Sequence, residues 1–554
     1  MQNELHIRDY IVFFLYFFIV SAYGYWIYRK KKAKATSSAD YFLAEGALTW
    51  WAIGASLIAS NISAEQFIGM SGSGFAMGLA ISTYEWMAAL TLLFVAIFFM
   101  PGYIKNRIFT MPQFLNQRYS QTVATLMAVF WLLVYVFVNL SSILYLGALA
   151  VQTISGFNFY ACMFFLTIFA IIITLGGMKV IGYTDVIQVA VLVLGGLATT
   201  YLALDLVAQQ FGADGAFAGL GLLREKAPES FSMILSEGER MIPDGRGGQR
   251  DAYMDLPGLS VLIGGMWIAN LNYWGCNQYI TQRALGASLP TARKGILFAA
   301  FLKMLMPVIV VLPGIAAYVL HKEGLFQQEM LDSVVVDGVA KEALKPDRAY
   351  GVLTNLLPAG LKGLAFAALT AAIVASLAGK ANSIATIFTL DIYKKFFNRE
   401  ASEVKQVNIG RITILVAFVI ALLVAPQLRV LDQAFQYIQE YTGFISPGVV
   451  AIFLLGFFWK RTTALAALVA ALLTIPLSTA FKFLTPQIPF LDRMGIVFLI
   501  LVALMVILSL ADPKSKDNPK AMKVDPKDFG LGGAFAVGTV LVMGMLLALY
   551  IIYW

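Results

Sequence analysis

The sequence predicts an all-α polytopic membrane protein with about 14 transmembrane helices, arranged as two inverted repeats of five helices that each contain one discontinuous helix. Hydrophobic residues form 59% of the 554-residue chain and charged residues only 13%, a balance that a soluble core of this size cannot bury. Apolar runs long enough to cross a bilayer recur from one end of the chain to the other. Polar and glycine-rich stretches interrupt two of these runs.

The apolar runs divide this single membrane domain, residues 1–554, into five parts. Residues 1–47 contain the first span and a basic loop, and residues 461–554 contain three peripheral spans. The first repeat covers 48–207, an external loop covers 208–256, and the second repeat covers 257–460. The predicted spans lie near residues 8–28, 48–72, 79–101, 121–152, 159–176, 183–207, 257–282, 293–320, 358–391, 406–426, 431–459, 462–482, 491–511 and 530–554.

Basic residues indicate the orientation of the chain. Loops after odd-numbered spans contain clusters of lysine and arginine, for example at 29–34 and 514–527, whereas short loops after even-numbered spans contain almost none. The positive-inside rule therefore places both termini outside a multi-pass protein of the cytoplasmic membrane. Because the net charge of +8 comes largely from these loops, it indicates topology and not a nucleic-acid partner. The long loops 208–256 and 321–357 fall on the outer side, and their role in specificity stays open.

The first interruption lies in the string ASNISAEQFIGMSGSG, residues 59–74. Asn61, Glu65 and Gln66 are polar residues near the middle of a membrane-length helix. Where a helix is broken at this depth, the freed carbonyl groups can hold a cation and the polar side chains can hold a substrate. The alternative is that the glycines only allow close helix packing, which accounts poorly for Glu65 and Gln66.

A second interruption follows five spans later, in GGMWIANLNYWG at 264–275. Its spacing from the first predicts the two inverted repeats. Further polar residues at membrane depth should face a wet cavity or a partner, since each charge in hydrocarbon costs several kcal/mol. Amide and charged groups beside aromatic rings suit a sugar or another small polyol, although the aromatic residues have packing as their alternative role. The polar residues are Glu85, Asp185, Lys303, Lys380, Gln439 and Glu440; Asp185 has an ordinary N-cap as its alternative role.

Eight strings in the chain resemble the solute:sodium symporter family, over residues 40 to 460. The resemblance implies a LeuT-like fold, which agrees with the repeats inferred from spacing, and it is weaker in the outer loops and the last three spans. The strings are DYFLAEGALTWW (40–51), NISAEQFIGMSGSG (61–74), YEWM (84–87), TDVIQV (184–189), NQYITQR (277–283), FAAFLK (298–303), LDIYKK (390–395) and AFQYIQEYTG (434–443).

The resemblance also implies roles for individual residues. The sugar would be hydrogen-bonded by Gln66, Glu85, Asn270, Lys303 and Gln439. Tyr273 would form an inner gate that stacks on the sugar ring, with Asn61 as its hydrogen-bonding partner. Met70, Tyr84 and Phe435 would form an outer hydrophobic gate. A sugar carrier of this family has a serine where this chain has Ala88, so the preferred epimer stays open.

For a coupling sodium ion, the resemblance implies the carbonyl groups of Ala59, Ile62 and Ala372 and two adjacent hydroxyl groups. This chain has Ala375 and Ser376 at the hydroxyl positions, so one expected ligand is absent. We predict that Asp185 lies on the route by which the ion reaches or leaves this site.

Lys380 follows Ser376 by four residues and shares its helix face, so we consider two hypotheses. In the first, Lys380 partly or wholly replaces sodium, which gives a sodium-independent or proton-linked carrier. In the second, Lys380 extends towards the cytoplasm and leaves sodium binding weakened but intact.

An integral-membrane enzyme is the first alternative from another functional class, and it would need a nucleophile, a metal cluster or an acid–base pair held in a cavity. The only histidines are His6 and His321, and no metal-ligand cluster or HExxH motif is present in the sequence. A membrane sugar sensor is the second alternative, but no appended signalling domain is visible. We therefore predict a secondary active transporter, not an enzyme, that moves a galactose- or glucose-like hexose by alternating access with Na⁺. Its predicted partners are the sugar and the lipid bilayer, and its oligomeric state stays open.

Overall fold

A computed structural model of the protein describes residues 5–32, 48–175, 178–244, 248–336, 339–430, 434–522 and 525–554. Ten helical segments among these residues are long and apolar enough to cross a membrane, and two shorter apolar helices accompany them. The two remaining predicted spans, 48–72 and 257–282, are the ones that contain the interruptions. The predicted all-α polytopic class is therefore confirmed. The remainder of the basic loop predicted after the first span, residues 33–47, lies outside the described residues.

The described residues of the first half, up to residue 210, form ten α-helices with three π-helical turns and the 3₁₀ turn Gly78–Ser82 between them. Serine, threonine and asparagine side chains cap several of these helices, because their oxygen atoms accept hydrogen bonds from the first free backbone N–H groups. The α-helices are α1 (Ile7–Lys32), α2 (Trp50–Asn61), α3 (Ser71–Met77), α4 (Thr83–Phe94), α5 (Met100–Lys105), α6 (Met111–Arg118), α7 (Gln121–Leu133), α8 (Ser141–Ser155), α9 (Phe159–Thr174) and α10 (Met178–Gln210); the π-helical turns are Glu65–Met70, Val95–Phe99 and Val134–Leu140.

The second half of the chain likewise contains both long helices and interrupted helices. Two antiparallel hairpins, two short α-helices and three 3₁₀ turns lie in the described parts of the long loops. The elements are α11 (Ala216–Lys226), β1 (Met241–Pro243), β2 (Gln249–Asp251), α12 (Ser260–Ile263), α13 (Gly265–Gly275), α14 (Gln278–Leu285), α15 (Leu289–Lys322), β3 (Leu331–Val336), β4 (Val339–Leu344), α16 (Ala349–Asn355), α17 (Leu361–Ile387), a π-helical segment (Phe388–Phe397), α18 (Glu403–Val424), α19 (Ala434–Thr442), α20 (Ser446–Phe458), α21 (Ala464–Leu484), α22 (Phe490–Ala511) and α23 (Gly533–Ile552).

The first interrupted helix is broken where the sequence predicts. Helix α2 ends at Asn61, Ile62 is extended with φ −76° and ψ 105°, and a π-helical turn resumes at Glu65. A second change of direction follows Met77, where Gly78 adopts φ +72° and a side chain would collide with the backbone of Ser230.

The second interruption differs from the prediction in its position. Helix α13 runs unbroken through Asn270 and Asn272, and the breaks lie at its two ends, at Gly264 and at Cys276–Asn277. The asparagine side chains do not disturb the backbone hydrogen bonds, because Asn270 donates to the Met266 carbonyl and Asn272 donates to Ser446. The assignment of 48–207 and 257–460 as inverted repeats stays a prediction.

Helices α10, α15 and α17 pack around the broken helix α2 and bury it. Helix α17 is buried along almost its whole length, whereas α23 exposes most of its apolar side chains. Glycines at 54 in α2 and 295 in α15 permit this close packing, because a Cβ on Gly54 would lie 2.7 Å from the carbonyl oxygen of Gly295. The broken helix is therefore held in the centre of the protein, where its free backbone groups are shielded from lipid.

Candidate functional site

A cavity of about 60 Å³ lies between the first interrupted helix and helices α4, α13, α15, α19 and α20. All the residues predicted to bind a sugar line it, although they come from distant parts of the sequence. Ala88 also lines the cavity, so the alanine that replaces the family's serine is at the predicted place. The lining consists of Asn61, Glu65, Gln66, Tyr84, Glu85, Ala88, Ala269, Asn270, Asn272, Tyr273, Trp274, Lys303, Phe435, Gln439, Thr442, Gly443 and Ser446.

One wall of the cavity is a chain of charged and polar groups. The Lys303 ammonium lies 2.5 Å from a carboxylate oxygen of Glu85, and both residues are almost fully buried. Lys303 also donates a hydrogen bond to the side-chain oxygen of Asn61. The amide nitrogen of Asn61 then donates to the Tyr273 hydroxyl at 3.1 Å. This chain links α2, α4, α13 and α15, so the predicted gate and the predicted sugar ligands share one network.

The amide groups in the cavity are partly engaged by the protein itself. The Gln66 side-chain oxygen accepts a hydrogen bond from the Ser63 N–H at 3.1 Å, within the helix break. The side-chain oxygen of Asn272 is buried and has no hydrogen-bond partner among the residues that the structure describes. Asn272 is therefore a further candidate ligand that can accept from a substrate hydroxyl. Sequence reasoning treated it only as part of an interruption.

Aromatic residues close the cavity from two directions. The rings of Tyr84 and Phe435 meet nearly perpendicularly with their centroids 5.2 Å apart, and both residues are buried. Gly69 makes this arrangement possible, since a Cβ at that position would lie 2.8 Å from the Cβ of Phe435. Tyr273 closes the cavity at the Asn61 side. Aromatic side chains therefore lie at two sides of the cavity, at the positions predicted for the two gates.

Met70 is not brought to the wall of this cavity, although it was predicted to belong to the outer gate. Its side chain is fully buried elsewhere. Met70 is the last residue of the π-helical turn Glu65–Met70, of which Glu65 and Gln66 line the cavity.

Oxygen atoms converge at the end of α2, where the cation site was predicted. The Ser376 hydroxyl lies 3.3, 3.1 and 3.4 Å from the carbonyl oxygens of Ala59, Ser60 and Ile62. Ala372 and Ala375 are buried on the same helix, α17. Backbone carbonyl and hydroxyl oxygens are the ligands that unwound transporter helices offer to Na⁺, so this donor set fits sodium.

Two residues that were not predicted for the cation site, Tyr279 and Arg283, complete this region. The Tyr279 hydroxyl donates to the carbonyl oxygen of Ser60 and lies 3.5 Å from the carbonyl oxygen of Ser376. Arg283 follows four residues later on the same face of α14, and its Nε donates to the Ser56 hydroxyl at 3.0 Å. Both residues belong to the string NQYITQR, whose resemblance to the family is the signal in the sequence that could have identified them.

Asp185 lies inside α10, so its proposed role as an N-cap is wrong. Its carboxylate accepts a hydrogen bond of 2.5 Å from Ser56, and Arg283 donates to the same serine. The helix begins at Met178, seven residues before Asp185, whereas the span was predicted to start at 183. The Asp185 carboxylate therefore lies too far along the helix to cap its first N–H groups. A role for Asp185 on an ion route stays a prediction.

Lys380 is buried in the protein and does not reach the cytoplasmic surface. Its ammonium lies 3.8 Å from the ring centroid of Tyr279, 4.9 Å from that of Tyr135 and 3.5 Å from the side-chain oxygen of Asn139. The ring of Tyr279 thus contacts the ammonium, and the hydroxyl of the same tyrosine contacts the Ser60 carbonyl. Lys380 therefore adjoins the predicted cation site through Tyr279, and the prediction that it reaches the surface is wrong.

Comparison with known proteins gives consistent results. A family model described as the sodium:solute symporter family matches residues 41–474. The chain is 46% identical to the sodium/glucose cotransporter of Vibrio parahaemolyticus, over 100% of this chain and 99% of that protein. It is 35% identical to sodium/myo-inositol cotransporter 2 of Homo sapiens, over 83% of this chain and 67% of the relative. The solved structure of a Na⁺-coupled sialic acid symporter, substrate-bound and outward-open, shares the fold with a TM-score of 0.75 and 20% identity, covering 92% of this chain and 98% of that one.

Proposed function

We propose that this chain, which belongs to the sodium:solute symporter family, moves a hexose-type sugar across the cytoplasmic membrane together with Na⁺ by alternating access. The relatives support the substrate class, because two of them are named for glucose and myo-inositol, which are six-membered rings that carry several hydroxyl groups. The cavity chemistry agrees, since carboxylate, ammonium and amide groups lie beside aromatic rings.

One observation carries the proposal: the sugar cavity and the predicted cation site share one broken helix. Asn61 and Gln66 face the cavity, while the carbonyl groups of Ala59 and Ile62 face Ser376 on α17. An ion bound at these carbonyls would hold the end of α2 against α17. Because Asn61 lies at that same end, the position of the sugar ligands would depend on the ion.

The sugar would lie between the two closures of the cavity. Glu85, Lys303 and Gln439 would hydrogen-bond its hydroxyl groups, and the Tyr273 ring would stack on it. Movement of Tyr273 would open the cavity towards the cytoplasm, and separation of Tyr84 from Phe435 would open it outwards. In this orientation both termini lie outside, as the distribution of basic residues indicates.

Sugar uptake into proteoliposomes tests this function directly. Labelled glucose and galactose are offered with an inward Na⁺ gradient or with choline replacing Na⁺ on both sides. We expect concentrative uptake only with the sodium gradient. Uptake that is equal in both conditions would contradict sodium coupling, and the absence of any saturable sugar binding or uptake across a panel of hexoses and inositols would contradict the substrate class.

A second candidate is a sodium-independent or proton-linked sugar carrier. It is favoured by the missing hydroxyl at Ala375 and by the buried Lys380 ammonium beside the predicted cation site. The same uptake experiment with an inward proton gradient and no sodium distinguishes this candidate from symport with Na⁺.

A further inference from the structure

Six charged side chains among the described residues lie around the sugar cavity and the break in α2, and their formal charges sum to zero before any ion is added. All are buried or half-buried, so each requires a compensating charge. Three are negative and three are positive: Glu65, Glu85, Asp185, Arg283, Lys303 and Lys380.

The six side chains form three pairs of opposite charge, and two of these pairs are connected by short contacts. Lys303 lies 2.5 Å from Glu85, and Arg283 reaches Asp185 through the Ser56 hydroxyl that both contact. Glu65 and Lys380 remain as the third pair.

Glu65 and Lys380 are connected through α8 and the π-helical turn that precedes it. The Ser142 hydroxyl donates to a carboxylate oxygen of Glu65 at 3.1 Å and also contacts the backbone oxygen of Asn139 at 3.0 Å. The Asn139 side chain accepts from the Lys380 ammonium at 3.5 Å. Ser142 and Asn139 therefore form a hydrogen-bonded layer between the Glu65 carboxylate and the Lys380 ammonium.

We propose that the Lys380 ammonium is a tethered cation that balances the Glu65 carboxylate and weakens the binding of free Na⁺ at the carbonyls of Ala59 and Ile62. This inference rests on the proposed function. Lys380 acts on the sodium site as a positioning residue, since its ammonium contacts the Tyr279 ring and the Tyr279 hydroxyl contacts the Ser60 carbonyl. Glu65 also lines the sugar cavity, so the pair lies between the two sites.

A neutral residue at 380 would leave the Glu65 charge without compensation. The region around the helix break would then carry one negative charge, which a free cation at the carbonyls would relieve. We expect Lys380→Met to lower the sodium concentration for half-maximal sugar uptake by about tenfold, within the usual range of coupling between two sites. If the wild type takes up sugar without sodium, Lys380→Met should acquire sodium dependence.

The experiment compares wild type with Lys380→Met, Lys380→Arg, Glu65→Gln and the double variant Glu65→Gln/Lys380→Met. Sugar uptake into proteoliposomes is measured at increasing Na⁺, with choline keeping the ionic strength constant. Lys380→Arg keeps the charge and should resemble the wild type. Glu65→Gln leaves the ammonium unbalanced and should raise the half-maximal sodium concentration. The double variant restores neutrality and should return towards the wild-type value.

Each outcome decides the inference. Opposite shifts in the two single variants, cancelled in the double variant, support it. Unchanged sodium dependence in Lys380→Met, or a double variant no closer to wild type than the single variants, overturns it. If Lys380→Met does not fold, the shift in Glu65→Gln decides alone. A wild type that neither binds nor transports sugar contradicts the proposed function instead, and is therefore distinguishable from failure of this inference.

Discussion

Lys303 and Glu85 form an ion pair with their nitrogen and oxygen atoms 2.5 Å apart, and both side chains are almost completely shielded from solvent. The two residues belong to α15 and α4, so the pair joins separate helices as well as forming a wall of the cavity. The pair therefore holds two helices together at the wall of the proposed sugar cavity, which the sequence alone does not indicate.

Glu85→Gln should reduce both stability and sugar binding. Removal of one member of a buried ion pair leaves an uncompensated charge, at a cost of about 3–5 kcal/mol. We expect a lower thermal midpoint in detergent and loss of sugar binding by calorimetry. The double variant Glu85→Gln/Lys303→Met removes both charges and should recover stability but not binding. A Glu85→Gln protein as stable as wild type would show that the pair contributes nothing to the fold.

Gln439→Ala should weaken sugar binding and leave the fold intact. The neutral side chain lines the cavity and is only half-buried, so its loss would remove one hydrogen bond to the proposed substrate and leave no buried charge behind. We expect the sugar affinity to fall by about tenfold, the effect of roughly 1.4 kcal/mol. Gln210→Ala, at the exposed end of α10, is the matched control. An unchanged affinity in Gln439→Ala would remove this residue from the sugar site.

Variants at 375 and 376 should shift sodium dependence in opposite directions. Ser376→Ala removes the hydroxyl that lies within 3.4 Å of three carbonyl oxygens, so the half-maximal sodium concentration should rise. Ala375→Ser adds a hydroxyl beside it and should lower that concentration. Both are measured as sugar uptake against Na⁺, with wild type as the reference. Identical sodium curves in all three proteins would place the ion elsewhere.

Tyr273 variants should separate the role of its hydroxyl from that of its ring. Tyr273→Phe loses only the hydrogen bond from Asn61, worth about 1 kcal/mol, so sugar affinity should fall only a fewfold. Tyr273→Ala removes one closure of the cavity, and preloaded sugar should leave proteoliposomes faster without a sodium gradient. Efflux is measured for both variants with and without Na⁺. Slow efflux from Tyr273→Ala would show that the ring is not a gate.

Several features could be predicted from local sequence because local chemistry decides them. The polar residues at 61–66 end one helix and begin the next, and the extended Ile62 lies within that stretch. The second interruption was predicted less accurately, because the side-chain nitrogens of Asn270 and Asn272 donate to the Met266 carbonyl and to Ser446 while the helix continues. A polar residue in an apolar run therefore indicates a nearby break without giving its exact position.

The sequence by itself determined that this chain is a helical membrane protein with a break near residue 62, because composition, apolar run length and the need to satisfy backbone groups in lipid leave few alternatives. Only the tertiary structure decided which distant residues meet: Glu85 with Lys303, Ser376 with the end of α2, and Lys380 with Tyr279 instead of the surface. Helix periodicity specifies the face that a side chain occupies, but the partner on that face depends on the packing of other helices, and a long lysine side chain can reach several of them.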